Sequence, residues 1–520
     1  MARPSRPALR TTRPASRPQA RRAAAPAQRD PAARSRWLER LAALALCLLA
    51  AAMTLRGLGE KSLWIDEVFS VLASRNWGEL WSTYAKSESN MLLYFGLLHL
   101  WLKLGQAEFL VRALSAVSAI LTVPAIYVTG KRLFGPWAGL LAALLLSVNL
   151  FFVRYAQEAR SYALLLLLTT LSTYWFLRAL QNRARRDWIA WVLVSTLSVY
   201  AHLFALLVLA AQALSLLARN LRDLPWRPLI ISALAMGALA LPTLVLQPLD
   251  AHQLDWVQAP TGESVRALIR DLAGGQKGLL WGYLLLWMAG LSVGATKAAV
   301  LRQRLGLWPY VLAVIWLFAP IALAYVYSLT VHPVFVDRYF IVCLSPLILL
   351  AAEGLAGVAR WRGPTRWLAV AALVLVMVGS WRSISTWYDT RSGEAWREVT
   401  AYVVGEAKPG DAAVFYAWFV DQPFLYYRDK LGSPAYPELP KLATGSYPAG
   451  GGSRLPDPDP AQLASLRDRY RRVWLVLSHD SLRHLGRDVQ SRNLREALQR
   501  QYGAPKEVAF PGVRVLLYGN

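Results

Sequence analysis

The feature that most constrains this chain is a recurrence of apolar runs, several of them near the twenty residues a bilayer-crossing helix needs. Reading along the sequence predicts spans at 38–55, 110–130, 137–154, 162–180, 188–201, 203–218, 228–246, 278–298, 308–328, 339–357 and 367–381. Composition agrees: only 17% of the 520 residues are charged and the mean hydropathy is +0.31, values that exclude a cytosolic enzyme and imply a polytopic helical membrane protein. Two predicted spans, 188–201 and 203–218, are short and read as a tight hairpin turning near His202. Segment 91–104 (MLLYFGLLHLWLKL) is short and contains His99 and Lys103, so it reads as an interfacial or re-entrant helix.

The net charge of +25 is distributed unevenly. Segment 1–36 is rich in Arg, Pro and Ala without apolar periodicity, the composition of a disordered tail. Followed by a membrane helix, it reads as a cytoplasmic topology anchor rather than a nucleic-acid arm. The remaining basic residues recur in alternate loops: Lys131/Arg132, Arg183/Arg185/Arg186, Arg219/Arg222, Lys297/Arg302/Arg304 and Arg360/Arg362/Arg366. Eleven spans with those loops inside place the N-terminus in the cytoplasm of a cell inner or plasma membrane and the C-terminus outside. The predicted membrane domain is 37–381, with 56–109 as its first outer loop. Beyond it, 382–520 reads as a small extracytoplasmic α/β domain: helical stretches at 394–407 and 491–502 alternate with strand-like 413–418, 472–478 and 513–519, around a Pro/Gly-rich loop at 433–459.

The few acidic groups gather on the predicted outer side. Asp66 and Glu67 follow Trp64 shortly after the first span, and Glu158 with Arg160 precedes Tyr162 at the start of another. His202 sits in the hairpin, while His332, Arg338 and Tyr339 flank a later span. Ionisable groups at membrane boundaries commonly face a cavity, although a solvated pair, interfacial snorkelling or a satisfied core histidine explains each of them singly. As chemistry, Asp66 is suited to general-base work beside Glu67 and Glu158. Arg160, Arg338 and, more weakly, Lys86 are suited to a phosphate. Trp64, Tyr162, His202, His332 and Tyr339 are candidate substrate contacts. Cys47 and Cys343 lie in apolar segments and offer no metal cluster. Gly57-Leu58-Gly59-Glu60-Lys61-Ser62 lacks phosphate-loop spacing, and Asp457-Pro458-Asp459 reads as turn chemistry.

Leu63-Trp64-Ile65-Asp66-Glu67, then Tyr155-Ala156-Gln157-Glu158-Ala159-Arg160-Ser161-Tyr162, then Arg338-Tyr339 with Pro346 downstream together resemble the bacterial family 39 glycosyltransferases. These are GT-C-fold relatives of the protein O-mannosyltransferases, the aminoarabinose transferases and the lipopolysaccharide galacturonosyltransferases. The resemblance covers roughly residues 38–360. It implies a GT-C fold with about 11 transmembrane helices, a polyprenyl-phosphate-linked sugar donor, an acceptor hydroxyl approaching from the outer face, inversion at the anomeric carbon, and Asp66 as base. Ser161 stands where relatives often have Pro. No cofactor is required by the sequence; a divalent metal, with Asp66 and Glu158 as its available ligands, stays open. The acceptor class, whether protein, lipid or glycan, is not readable. An O-antigen polymerase or ligase and a lipid-linked glycan flippase are the competing readings. The first gives no reason for Trp-x-Asp-Glu after the first span, and the second calls for midplane charges and repeats that the sequence does not show.

Overall fold

The computed structural model describes residues 31–86, 89–245, 254, 256–301, 306–360, 365–389, 393–416, 418–432, 434–440, 460–480 and 487–519. The unit Met1–Leu41 is described only from Pro31, as the opening of the first helix, and the chain from Ala42 on forms one compact unit. Of the tail read as disordered at 1–36, residues 1–30 lie outside the described residues, as do 441–459 of the Pro/Gly-rich loop with Asp457-Pro458-Asp459, whereas 31–36 are helical and open the first helix.

The bundle begins with α1 (Pro31–Leu55), followed by three short helices, α2 (Ile65–Ala73), α3 (Trp77–Lys86) and α4 (Leu92–Trp101). Next come α5 (Glu108–Leu133), α6 (Pro136–Ser147), α7 (Leu150–Ala156), α8 (Tyr162–Asn182), α9 (Arg185–Ala201) and α10 (Ala205–Ser215). The remaining bundle helices are α11 (Trp226–Val245), α12 (Gly262–Leu272), α13 (Lys277–Leu301), α14 (Trp308–Thr330), α15 (Leu344–Ala359) and α16 (Thr365–Asp389), with a 3-10 turn at Asp337–Cys343 leading into α15. Among the described residues, eight helices are long and apolar enough to cross a bilayer, fewer than the eleven segments predicted.

The difference has local causes. The span expected at 137–154 is broken into α6 and α7 at a 61° bend. Asn149 accounts for the break, because its side-chain oxygen accepts the Phe152 amide at 3.1 Å and caps a new helix. Counting that pair as one span gives nine. The expected hairpin is α9 and α10, helices of 17 and 11 residues that meet at His202. At 1.5 Å per residue α10 rises only about 17 Å, well short of a hydrocarbon core of roughly 30 Å. The same arithmetic makes α4 too short to cross. α15 is enclosed almost throughout, and a Cβ on its Gly354 would stand 1.8 Å from the Leu286 carbonyl oxygen of α13, so glycine alone permits this crossing.

The apolar helix α16 continues through Trp387 to Asp389, past the expected boundary at 382. The domain beyond it contains α17 (Trp396–Glu406), β1 (Asp411–Tyr416), α18 (Asp421–Lys430), α19 (Pro460–Arg469), β2 (Arg472–Leu477), α20 (Arg487–Tyr502), β3 (Lys506–Phe510) and β4 (Val513–Tyr518). The sheet order is β1-β2-β4-β3, with β1 and β2 parallel and the other pairs antiparallel. Strand alternation gives the sheet two apolar faces. Val473, Leu475 and Leu477 pack with Leu463, Leu466, Leu494 and Leu498 of α19 and α20. Trp474 and Val476 instead join Trp396, Val399 and Phe424 of α17 and α18, in a core continuous with that of the membrane helices.

Candidate active site

The loop before α2 is fixed by a buried arginine inside an apolar helix. Arg112 of α5 donates twice to Glu67, at 2.8 and 2.6 Å, and its remaining guanidinium hydrogens reach the carbonyl oxygens of Leu58, Lys61 and Ser62 at 2.7–3.0 Å. Glu67 is fully buried and also accepts the amides of Ala159 at 2.9 Å and Trp64 at 3.3 Å. It therefore braces the outer-loop motifs against each other, with both of its oxygens held by Arg112 and by backbone amides. Its neighbour Asp66 points elsewhere. Both carboxylates lie in the first turn of α2, where the helix dipole favours negative charge.

Asp66 meets Arg338, whose Nη2 lies 3.2 Å from Oδ2, with both side chains mostly enclosed. Four rings surround the Arg338 guanidinium: Trp64 at 5.6 Å, Trp256 at 5.7 Å, and Tyr162 and Tyr339 at 6.0 Å. The electron-rich ring faces partly compensate the charge for lost water. Tyr339 packs on His202 at 4.7 Å, and Tyr162 lies 6.2 Å from the same imidazole. Arg160 Nη1 approaches the Asp66 carbonyl oxygen at 3.5 Å and Ser70 Oγ at 3.4 Å. The three motifs, far apart in sequence, thus converge on one site.

Glu158 borders this cluster, with Oε1 3.8 Å from Arg154 Nε. Burial pushes its carboxyl up to about 7; Arg154 opposes the shift, while Glu67 and Asp66 add to it. His202 is wholly buried, and burial together with the Arg160 and Arg338 charges drives it down to about 3, so it is neutral. Its Nδ1 accepts the Phe204 amide at 3.2 Å, and Nε2 lies 3.2 Å from the Asn90 carboxamide. Glu158 Oε2, Ser161 Oγ, Tyr162 Oη and Arg338 Nε are buried and make no hydrogen bond among the described residues. Such a concentration of unsatisfied polar atoms marks a place that takes a polar ligand.

His332 Nδ1 lies 3.1 Å from the carbonyl oxygen of the adjacent Pro333, a local contact ahead of the Asp337-Arg338 turn. Lys86 ends α3, and its side chain lies outside the described residues. No group of three or more His, Cys, Asp or Glu suited to a metal forms among the described residues. Arg112, Asn90 and Trp256 were missed by sequence reasoning. Of these only Arg112 carried a signal, being a lone arginine within an apolar span.

Residues 90–246 match the family model described as dolichyl-phosphate-mannose-protein mannosyltransferase, a range that includes Glu158, Arg160, Tyr162 and His202. Among solved structures, ArnT from Cupriavidus metallidurans in the apo state superposes with a TM-score of 0.58 at 15% identity, over 93% of this chain and 98% of that one. The chain has the GT-C fold of membrane glycosyltransferases. Together with the family match, this makes the chain similar to the glycosyltransferases of the family 39 type. ArnT bound to undecaprenyl phosphate gives a TM-score of 0.57 at 15% identity, over 91% of this chain and 97% of that one. The GT-C oligosaccharyltransferase AglB from Archaeoglobus fulgidus, in complex with an inhibitory peptide and a dolichol-phosphate, gives 0.51 at 10% identity, over 93% and 74%. No curated protein matches the sequence.

Proposed function

We propose that this glycosyltransferase moves a sugar from a polyprenyl-phosphate-linked donor to an acceptor hydroxyl, with inversion, on the extracytoplasmic face of the membrane. The observation that carries the reading is the Asp66–Arg338 pair inside its aromatic cage, a base and a phosphate-binding cation in contact. The two structural neighbours solved with undecaprenyl phosphate and dolichol-phosphate support a donor of that chemistry.

In this mechanism the Arg338 guanidinium takes the donor phosphate, with Arg160 as a second positive charge on the same side. Asp66 accepts the proton of the acceptor hydroxyl as its oxygen attacks the anomeric carbon from the face opposite the phosphate. The carbon–oxygen bond to the phosphate breaks, and the prenyl phosphate leaves with that electron pair. Glu158, in its protonated form, and Tyr162 orient the hydroxyl groups. Trp64 and Tyr339 offer ring faces to the sugar. The deciding experiment is transfer in vitro from a panel of polyprenyl-phosphate sugars, with and without chelator, comparing wild type with Asp66→Asn. Absence of transfer from every donor by well-folded wild-type protein overturns the reading, and loss of transfer on chelation shows a need for a divalent ion, with Asp66 and Glu158 as the candidate ligands to test.

A further inference from the structure

The first amides of a helix have no partner within it and take one from a side chain, a ligand or water. In α2 the N-cap residue is Trp64, which provides no side-chain acceptor. Two carboxylates take the amides instead. Glu67 accepts from Trp64, and Glu394, 329 residues further along, accepts from Ile65 at 3.3 Å. Ile65 immediately precedes Asp66.

Glu394 is itself held firmly. Its Oε2 also accepts from the Trp396 indole, and its Oε1 lies 3.3 Å from His479 Nε2. Its side chain is only 10% exposed. His479 occupies the left-handed backbone region at φ 56°, uncommon for a residue with a side chain and frequent where function constrains the chain. Its Nδ1 lies 3.1 Å from Ser478 Oγ, which donates to the Gly512 carbonyl oxygen at 2.9 Å. The Glu394 Cγ in turn packs beside Gly512, where an added Cβ would come within 3.1 Å. The loop upstream has its own supports from the C-terminal domain, Ser62 Oγ to Glu398 at 2.6 Å and the Leu63 amide to Tyr427 Oη at 2.7 Å. Glu394 is the support placed at the turn that carries Asp66.

We infer that Glu394 is a positioning residue: anchored by His479 and Trp396, its carboxylate fixes the first turn of α2 and so aims Asp66, which makes the C-terminal domain part of the transfer machinery. The inference rests on the proposed role of Asp66. It assigns the C-terminal domain a task that a mere appendage would lack. Removing the acceptor should loosen the turn and misdirect Asp66 without touching the donor phosphate site, so the cost falls on kcat rather than on donor KM.

The test uses the full chain in nanodiscs, with hydrogen exchange over residues 62–68 and transfer kinetics on the same preparations. Glu394→Ala is expected to speed exchange at the start of α2 by about tenfold, the loss of one helix-capping acceptor, and to lower kcat about tenfold with donor KM within about twofold. Glu394→Gln keeps the accepting oxygen and should recover kcat to within about threefold of wild type. His479→Ala frees the far side of Glu394 and should lower kcat by a smaller factor, about threefold. Unchanged exchange in Glu394→Ala overturns the inference, as does faster exchange with wild-type kcat, or a rise in donor KM alone. If Glu394→Ala does not fold, wild-type exchange and kcat in His479→Ala overturn it. A wild-type protein that transfers no polyprenyl-phosphate sugar defeats the proposed function instead, while the exchange arm still decides whether Glu394 holds the turn.

Discussion

Arg338 Nη2 lies 3.2 Å from Asp66 Oδ2, so the residue proposed to bind phosphate and the residue proposed to take the proton neutralise one another. In the proposed mechanism a donor phosphate competes with Asp66 for the same guanidinium. Its arrival releases the carboxylate at the moment an acceptor needs a base, and donor binding thereby becomes coupled to the readiness of Asp66.

That coupling predicts how Asp66→Asn behaves. The amide is isosteric but cannot accept a proton, so kcat should fall by at least about a hundredfold, the lower end of what general-base catalysis supplies. Donor affinity should hold or improve, because Arg338 no longer has a competing carboxylate. Folding should be little affected, since the isosteric amide still offers Arg338 an acceptor oxygen and the aromatic cage around the guanidinium is kept. Single-turnover transfer and donor binding measured on the same protein check all three, and near-normal kcat would remove Asp66 from the mechanism.

Arg338→Lys keeps the charge but loses the planar fork and the stacking on four rings. Donor KM should rise about tenfold or more, and kcat should also fall if the guanidinium stabilises the departing phosphate. Titration with prenyl phosphate alone separates the effects, because that ligand reports phosphate binding without chemistry. Unaltered binding by the lysine variant would place the phosphate elsewhere.

How much of this was legible in the sequence depends on the range of the interaction. Asp66, Glu158, Arg160 and Arg338 stand in short motifs at the boundaries of apolar segments, where a sequence shows them, and the structure brings them near one another. Strands β1, β2 and β4 were readable from their continuous apolar runs, whereas β3, Lys506-Glu507-Val508-Ala509-Phe510, opens on two charged residues, has only a short apolar run and lies at the exposed edge of the sheet. Asn149 interrupts a run that hydropathy averages over, so the break between α6 and α7 was invisible. Glu67 reads as the twin of Asp66 until Arg112 is seen opposite it, and Glu394 has no local pattern at all. Partners 45 to 329 residues apart are chosen by tertiary packing, which no window of sequence contains.

The Arg112–Glu67 pair predicts a loss of stability rather than of chemistry. Replacing one member strands a buried charge, at a cost of about 3–5 kcal/mol, while replacing both with apolar residues of similar volume costs much less. Glu67→Gln and Arg112→Met should therefore each lower the thermal midpoint and the yield in detergent sharply, and Arg112→Met/Glu67→Leu should recover part of both. The specific activity of the molecules that do fold should fall far less for Glu67→Gln than for Asp66→Asn. A stable but inactive Glu67→Gln protein would return Glu67 to the reacting centre.

The pH response has two opposing sources at the site. Glu158 is raised from an ordinary value of 4.5 to about 7, so between those values the folded protein holds a proton that the unfolded chain has released. Its contribution to stability is complete below about pH 4.5 and is lost as pH rises through about 7. His202 is lowered from 6.5 to about 3, so its contribution runs the other way and is lost as pH falls below about 6.5. For activity, ionised Glu158 adds negative charge where the donor phosphate must bind, and transfer should decline through about pH 7. Glu158→Gln imitates the neutral acid and should keep the rate on the acid side while abolishing that decline. His202→Gln should leave the alkaline limb in place and flatten the acid loss of thermal midpoint. Rate profiles and melting curves over the same pH range discriminate the two groups, and an alkaline limb that persists unchanged in Glu158→Gln would assign it to another residue.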